Sequence, residues 1–187
     1  MKQSYIDKLN DIIDFDMRKS NSSYSEKKIL KLQKDYSLDL DDSYKFYLEN
    51  FGNDYFKEGY NFHPSLKLYD GAEKKYEFNS IFGLGIGHSN LQMNIDNSNG
   101  NLPEFVFPIG EFGGGDLICM SRKNKEIYLW FHEKNGQNLY LIAESFESFI
   151  LSIEYDEPIK NDSVGVKMKL SPELDNALRK AAEKYKK

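Results

Sequence analysis

PIGEFGGGDLICM, residues 108–120, followed by IYLWFHE, residues 127–133, is the stretch whose reading decides the fold. Gly113, Gly114 and Gly115 stand together where a core sheet begins. Each glycine inside ordered structure costs roughly 0.5–1 kcal/mol relative to alanine. Three in a row therefore mark a backbone path, or a close approach, that side chains would block. After them, residues 116–121 and 126–132 read as strands joined by RKNK, and residues 138–143 as a third strand. Asn135–Gly136 precedes that third run, and both positions of this dipeptide tolerate the positive φ of a tight hairpin. The three runs predict an antiparallel meander.

Upstream of the glycines, residues 104–107 predict a strand ended by Pro108. Residues 94–101, NIDNSNGN, predict a polar loop, and short strands are expected near 66–69 and 76–78. In LDLDDSYKFYLENFGN, Asp41 or Asp42 caps a helix. Tyr44, Tyr47, Leu48 and Phe51 give that helix an apolar stripe, and Gly52 closes it. Residues 4–17 predict a first helix, with Ser4 and Asp7 as a capping box, and 19–23 a linker. Ser25 caps a second helix with Ile29, Leu30 and Leu32 facing inward. Downstream of the meander, Ser145 caps a helix carrying Phe146, Phe149, Ile150 and Ile153. A linker over 154–163 leads to a strand at 164–170 and a helix started by Ser171–Pro172–Glu173. Helices, then a sheet, then helices indicate an α+β fold rather than α/β.

A chain of 187 residues suffices for one domain with an appendage. The 13 Phe, 13 Tyr and one Trp argue against disorder over most of it. No apolar run reaches the ~20 residues of a membrane span, and the polar N-terminus lacks a signal-peptide core. Cys119 is the single cysteine, so an internal disulfide and a cysteine zinc site are excluded. The simplest compartment is the reducing cytoplasm. Net charge is −5, which speaks against nucleic acid as main partner. Residues 164–187 are basic, so the preceding body is more acidic than the whole; an acidic body steers toward basic partners.

The candidate chemistries are weighed in turn. A phosphate cradle needs a helix N-terminus behind its glycines; here Asp116 and an apolar strand follow. GLGIGHS, residues 83–89, also lacks a helix behind it and reads as a bulged or irregular strand. Cys119 and His132 lie on neighbouring strands as a nucleophile–base pair, against which Cys119 reads as a small core residue between Ile118 and Met120. His63, His88 and His132 lack metal-ligand spacing. Glu104, Glu111, Asp116 and Glu133 form either a carboxylate cluster at one end of the sheet or a solvated acidic rim. Alternation sets Ile127, Leu129 and Phe131 on one face, and Tyr128, Trp130 and His132 on the other. An exposed Tyr–Trp–His face beside acidic residues suits protein binding; a strand buried on both faces is the competing reading.

Three blocks together resemble the SUKH superfamily, the bacterial relatives of the fungal Smi–Knr cell-wall assembly regulators. They are LDLDDSYKFYLENFGN, then PIGEFGGGDLICM, then IYLWFHE with the helix ESFESFILSI. They cover roughly residues 25–153. The chain departs from the pattern at Asp41, where proline is usual, and at Phe131, where aspartate usually precedes the histidine. The resemblance implies a twisted, mostly antiparallel sheet of about five to six strands wrapped by helices. The expected organisation is an N-terminal helix and linker over 1–24, the SUKH-like α+β domain over 25–156, and a C-terminal strand–helix extension over 157–187 docked on that domain. The resemblance further implies a non-enzymatic immunity protein, without cofactor or metal, that binds a cognate polymorphic or contact-dependent toxin domain encoded by a neighbouring gene. The expected toxin-binding residues are Glu104, Glu111, Asp116, Trp130 and Glu133, with Gly113, Gly114 and Gly115 as a structural motif. The protomer is expected to be a monomer or weak homodimer with no nucleic-acid or membrane partner. Two alternatives remain open: a scaffold or regulator recruiting through the basic C-terminal helix, and a small hydrolase using Cys119 and His132.

Overall fold

The structure, a computed structural model, describes residues 2–17, 25–52, 54–64, 68–69, 72–73 and 75–157. In chain order the elements are α1 (Gln3–Ile12), β1 (Ile13–Asp14), α2 (Glu26–Asp35), α3 (Asp42–Phe51), β2 (Tyr55–Phe56) and β3 (Tyr60–Phe62). There follow β4 (Tyr76–Ile81), α4 (Leu91–Asn97), β5 (Val106–Phe112), β6 (Leu117–Ser121), β7 (Ile127–Trp130), β8 (Leu139–Ala143), α5 (Phe146–Leu151) and β9 (Ile153–Tyr155). Residues 1–157 form one compact unit. The expected strand and helix beyond residue 157 lie outside the described residues.

Seven strands make one antiparallel sheet in the order β8-β7-β6-β5-β4-β3-β9, and β1 pairs with β2 in a second, two-stranded one. The fold is α+β, as the order of elements required. The main sheet exceeds the expected five to six strands because β3 and β9 are only three residues long, too short to show a period. The β6–β7–β8 meander stands where alternation put it. Its second connection is longer than a two-residue turn: Gly136 takes φ +82° and Asn135 does not.

The expected strand end at Pro108 is corrected by β5, which runs on to Phe112. Pro108 pairs with Cys119, and the register shifts between Pro108 and Gly110. A bulge is the setting in which a sheet accommodates a residue without an N–H. The other departures are also local signals overridden by packing. The first helix stops at Ile12, because Ile13 and Asp14 leave it to pair with Phe56 and Tyr55. The predicted capping box is not formed; Lys2 occupies the cap position. The loop expected over 94–101 begins as helix α4, capped by the Asn90 side chain on the Met93 amide and anchored by buried Leu91 and Ile95. Of the strand expected near 66–69, the described residues 68 and 69 are not extended ladder.

Elsewhere the caps act as read. Asp41 Oδ1 accepts from the Ser43 and Tyr44 amides. At α5, Ser145 and Ser148 cap reciprocally at 3.1 Å. One core lies between the helices and the inner face of the sheet. It takes Tyr5, Leu9 and Ile12 from α1, Tyr44, Tyr47 and Leu48 from α3, and Phe146, Phe149 and Ile150 from α5. Against these pack Phe62, Phe78, Phe107, Phe112, Ile118 and Leu129 from the strands. Each such side chain contributes about 1.5–3 kcal/mol on full burial. Two core tyrosines also close backbone acceptors: Tyr5 Oη donates to Ser43 O and Tyr44 Oη to Phe82 O, both at 2.8 Å. Residues 83–89 form an irregular loop rather than a strand. A Cβ at Gly83 would lie 1.4 Å from the Gly52 carbonyl oxygen, so backbone meets backbone there and only glycine fits.

Candidate functional site

The glycine run is the hairpin connection between β5 and β6. Gly114 and Gly115 take φ +82° and +93°, the left-handed region that penalises any Cβ. The turn is closed by the Phe112 amide donating to Asp116 O at 2.9 Å. Gly115 lies against the His132 ring, but a Cβ there would stand 3.6 Å from it, an ordinary contact, so the positive φ and not crowding calls for glycine.

Asp116 ties this hairpin to the next. Its Oδ1 accepts from the His132 amide at 3.2 Å and lies 2.9 Å from His132 Nδ1, while His132 Nε2 lies 3.5 Å from Glu133. The hydrogen bond to Asp116, with the charges of Asp116 and Glu133, holds the imidazole pKa above its ordinary 6.5. Beside this pair opens a cleft of about 630 Å³, lined by Tyr76, Glu77, Phe112, Asp116, His132 and Glu133. Tyr69 and Lys134 also line it, and the Lys134 ammonium is 3.5 Å from the Tyr69 ring centre and 4.3 Å from that of Tyr140. Tyr76 is only 6% exposed, and its hydroxyl oxygen is sealed from solvent beside the Glu73 backbone amide. Burial, with Tyr69, Glu73 and Asp116 nearby, pushes the phenol up to about 12.

The second surface is the outer face of the sheet. Register sets Ser80, Glu111, Leu117, Trp130 and Leu139 in one cross-strand row, with Cys119, Tyr128 and Leu141 in the next. Leu117, Tyr128, Trp130 and Leu139 are half-buried, whereas Leu141 and nearby Phe105 are exposed. The Trp130 Nε1–H finds no acceptor among the described residues. Glu111 borders the row and accepts from Asn79 Nδ2 at 3.1 Å and Ser80 Oγ at 3.3 Å.

The five residues expected to form one patch therefore divide. Asp116 and Glu133 share the cleft, and Glu111 and Trp130 share the outer face. Glu104 stands at the opposite end of β5 from Asp116, because that strand passes through Pro108 instead of stopping at it. The four carboxylates do not converge at one end of the sheet. Cys119 and His132 do not meet either. Cys119 is fully buried opposite Tyr128, four residues up β7 from His132, on the order of 13 Å along a strand. Burial also drives its thiol pKa well above the ordinary value, away from a reactive thiolate. Among the described residues no group of His, Cys, Asp and Glu is arranged to hold a metal, and no helix is long and apolar enough to cross a membrane.

Sequence reasoning passed over Tyr76 and Glu77. Tyr76 carries only the signature of a core aromatic, and nothing in its spacing announces that it lines a cleft. His132 was considered as a base for Cys119, whereas its neighbour in space is Asp116.

Comparison with known proteins adds three findings. The family model described as the SMI1 / KNR4 family (SUKH-1) matches residues 24–152. The SPbeta prophage-derived uncharacterized protein YokK of Bacillus subtilis (strain 168) is 39% identical over 84 residues, an alignment covering 44% of this chain and 43% of that relative. No solved structure gives a significant match. The matched span begins just before α2 and ends with α5, taking in the glycine turn, the cleft and the outer sheet face, and on that evidence the chain belongs to the SMI1/KNR4 (SUKH-1) family.

Proposed function

We propose that this protein is an immunity protein that binds and neutralises a cognate bacterial toxin domain, a non-enzymatic task performed in the cytoplasm. The carrying observation is family membership across residues 24–152, since the bacterial SUKH proteins it resembles include many toxin-neutralising members. Two surface features support the reading. The outer face offers an aromatic and aliphatic row with Trp130 in the middle and Glu111 at its border, the composition of an interface centre. Around the corner, Asp116 and Glu133 give an acidic rim that would attract a basic toxin such as a nuclease.

The test is capture. The full chain, tagged and co-expressed with the product of its neighbouring gene, is expected to co-purify with it and to restore growth when that product is toxic. A neighbouring product that is neither toxic nor retained would remove the reading. Deleting residues 164–187 separates it from a scaffold that recruits through its basic tail. An inhibitor working through the sheet keeps its affinity after the deletion, and a tail-dependent scaffold loses it.

A further inference from the structure

We infer that residues 83–89 form a knob whose tip, Ile86, inserts into an apolar pocket of the protein partner; this rests on the toxin-binding reading above and names the element that enters that partner. Ile86 is 108% exposed, against 36–60% for the other exposed large apolar side chains among the described residues. A single exposed aliphatic side chain needs no explanation by itself. What sets this one apart is the backbone that carries it. Ile86 stands between Gly85 and Gly87, and a Cβ at Gly87 would meet nothing within 4 Å. The tip is therefore narrow and presents one side chain. Such a glycine-rich loop is costly to order on binding when it is free in solution. Here the carbonyls around Ile86 are held from behind by the start of α4. Asn90 Nδ2 donates to Gly85 O at 2.5 Å, the Asn90 amide to Gly87 O at 3.1 Å, and Asn94 Nδ2 to His88 O at 2.6 Å. At the base, the Gly83 amide donates to Ser89 O at 2.9 Å and the Leu91 amide to Gly83 O at 2.7 Å. Folding thus fixes the loop before any partner arrives.

The position of the knob defines the partner. Ser89 Oγ lies 3.4 Å from Ser80 Oγ, and Ser80 begins the cross-strand row that runs through Glu111 and Leu117 to Trp130. Three strand spacings separate Ser80 from Trp130, roughly 14 Å. An interface of ~800 Å² on each partner spans both. The surface that fits is therefore that of a protein with a pocket for one branched aliphatic side chain. Beside the pocket it carries a flatter apolar area for Trp130, and a cation between the two would meet Glu111.

The experiment uses the full chain and the product of its neighbouring gene as the probe, with Ile86→Asp and Ile86→Leu beside wild type. Ile86 touches nothing in the fold, so both variants are expected to melt at the wild-type temperature. Ile86→Asp is expected to weaken the partner at least about tenfold, whereas Ile86→Leu stays within about threefold of wild type because it keeps an aliphatic side chain of the same volume. Hydrogen exchange on the free chain is expected to find the Gly83 and Leu91 amides protected. Three results overturn the knob: wild-type affinity in Ile86→Asp, an equal loss in Ile86→Leu, or amides at 83 and 91 that exchange as in an unfolded chain. Self-association of wild type that Ile86→Asp abolishes would make a second copy the occupant and also overturn it. The outcomes separate the knob from the wider reading. A retained partner indifferent to Ile86→Asp leaves the toxin reading standing and removes the knob, whereas a neighbouring product that wild type does not retain removes both.

Discussion

On the inner face of the seven-stranded sheet, Phe78, Phe112, Ile118 and Leu129 are buried under α1, α3 and α5, while one residue along the same strands Leu117, Tyr128 and Trp130 stay half-buried and Leu141 is exposed. Both faces are apolar. Composition therefore does not distinguish them, and what does, among the described residues, is the packing of α1, α3 and α5 on one side. The inner face carries the stability of the fold. The outer face holds aromatic surface that the described residues leave half-buried or exposed.

The largest expected effect tests that division. Phe112→Ala should lower unfolding free energy by about 3–5 kcal/mol in urea titration, whereas Leu141→Ala on the outer face should change it by no more than about 0.5 kcal/mol. Similar losses at the two positions would mean that the outer face is also core. Next comes Trp130→Ala in the complex with the captured partner, where a centrally placed tryptophan should cost about 2 kcal/mol of binding by calorimetry. Retained affinity would move the contact elsewhere on the surface.

A smaller effect concerns the turn between the faces. Gly114→Ala should destabilise by about 1–2 kcal/mol from backbone strain alone, since no atom lies within 4 Å of the added Cβ. A neutral result would show that the turn relaxes out of the left-handed region. The smallest effect is that of the His132 pair. The folded-state pKa is raised above 6.5 by Asp116, with Glu133 adding. The folded protein therefore holds the proton more tightly than the unfolded chain. That contribution is fully present below the unfolded pKa and is lost as pH rises through the folded one. For so exposed a pair it is at most about 1 kcal/mol. Wild type should lose this increment between mildly acidic and alkaline pH in thermal melts, and His132→Gln should be flat across the same window. An identical slope in both proteins would show that the pair contributes nothing to folding.

Legibility in the sequence followed the range of the interaction. Helices α3 and α5 were readable because their caps are local: Asp41 and Ser145 bond amides two or three residues away. The meander was readable because a half-buried strand enforces a period of two. Helix α4 was not, since its Asn-rich segment has weak propensity and is held by Leu91 and Ile95 in a core built from distant residues. Pro108 misled for a related reason, because the bulge that tolerates it is made jointly with β6. In the site, the acidic character of Asp116 and Glu133 was legible. Their pairing through His132, and the hydroxyl of Tyr76 beside them, were not.

The sequence by itself determined the α+β class, the meander, the family and the requirement for glycine at the turn, because each is encoded in periodicity, caps or a contiguous motif. Only the tertiary structure decided which carboxylates share a surface, that Cys119 and His132 stand apart, and that a buried phenol lines an acidic cleft. Those facts depend on strand register and on how far β5 runs before it turns. A single residue of slip in either would exchange the two faces of the sheet.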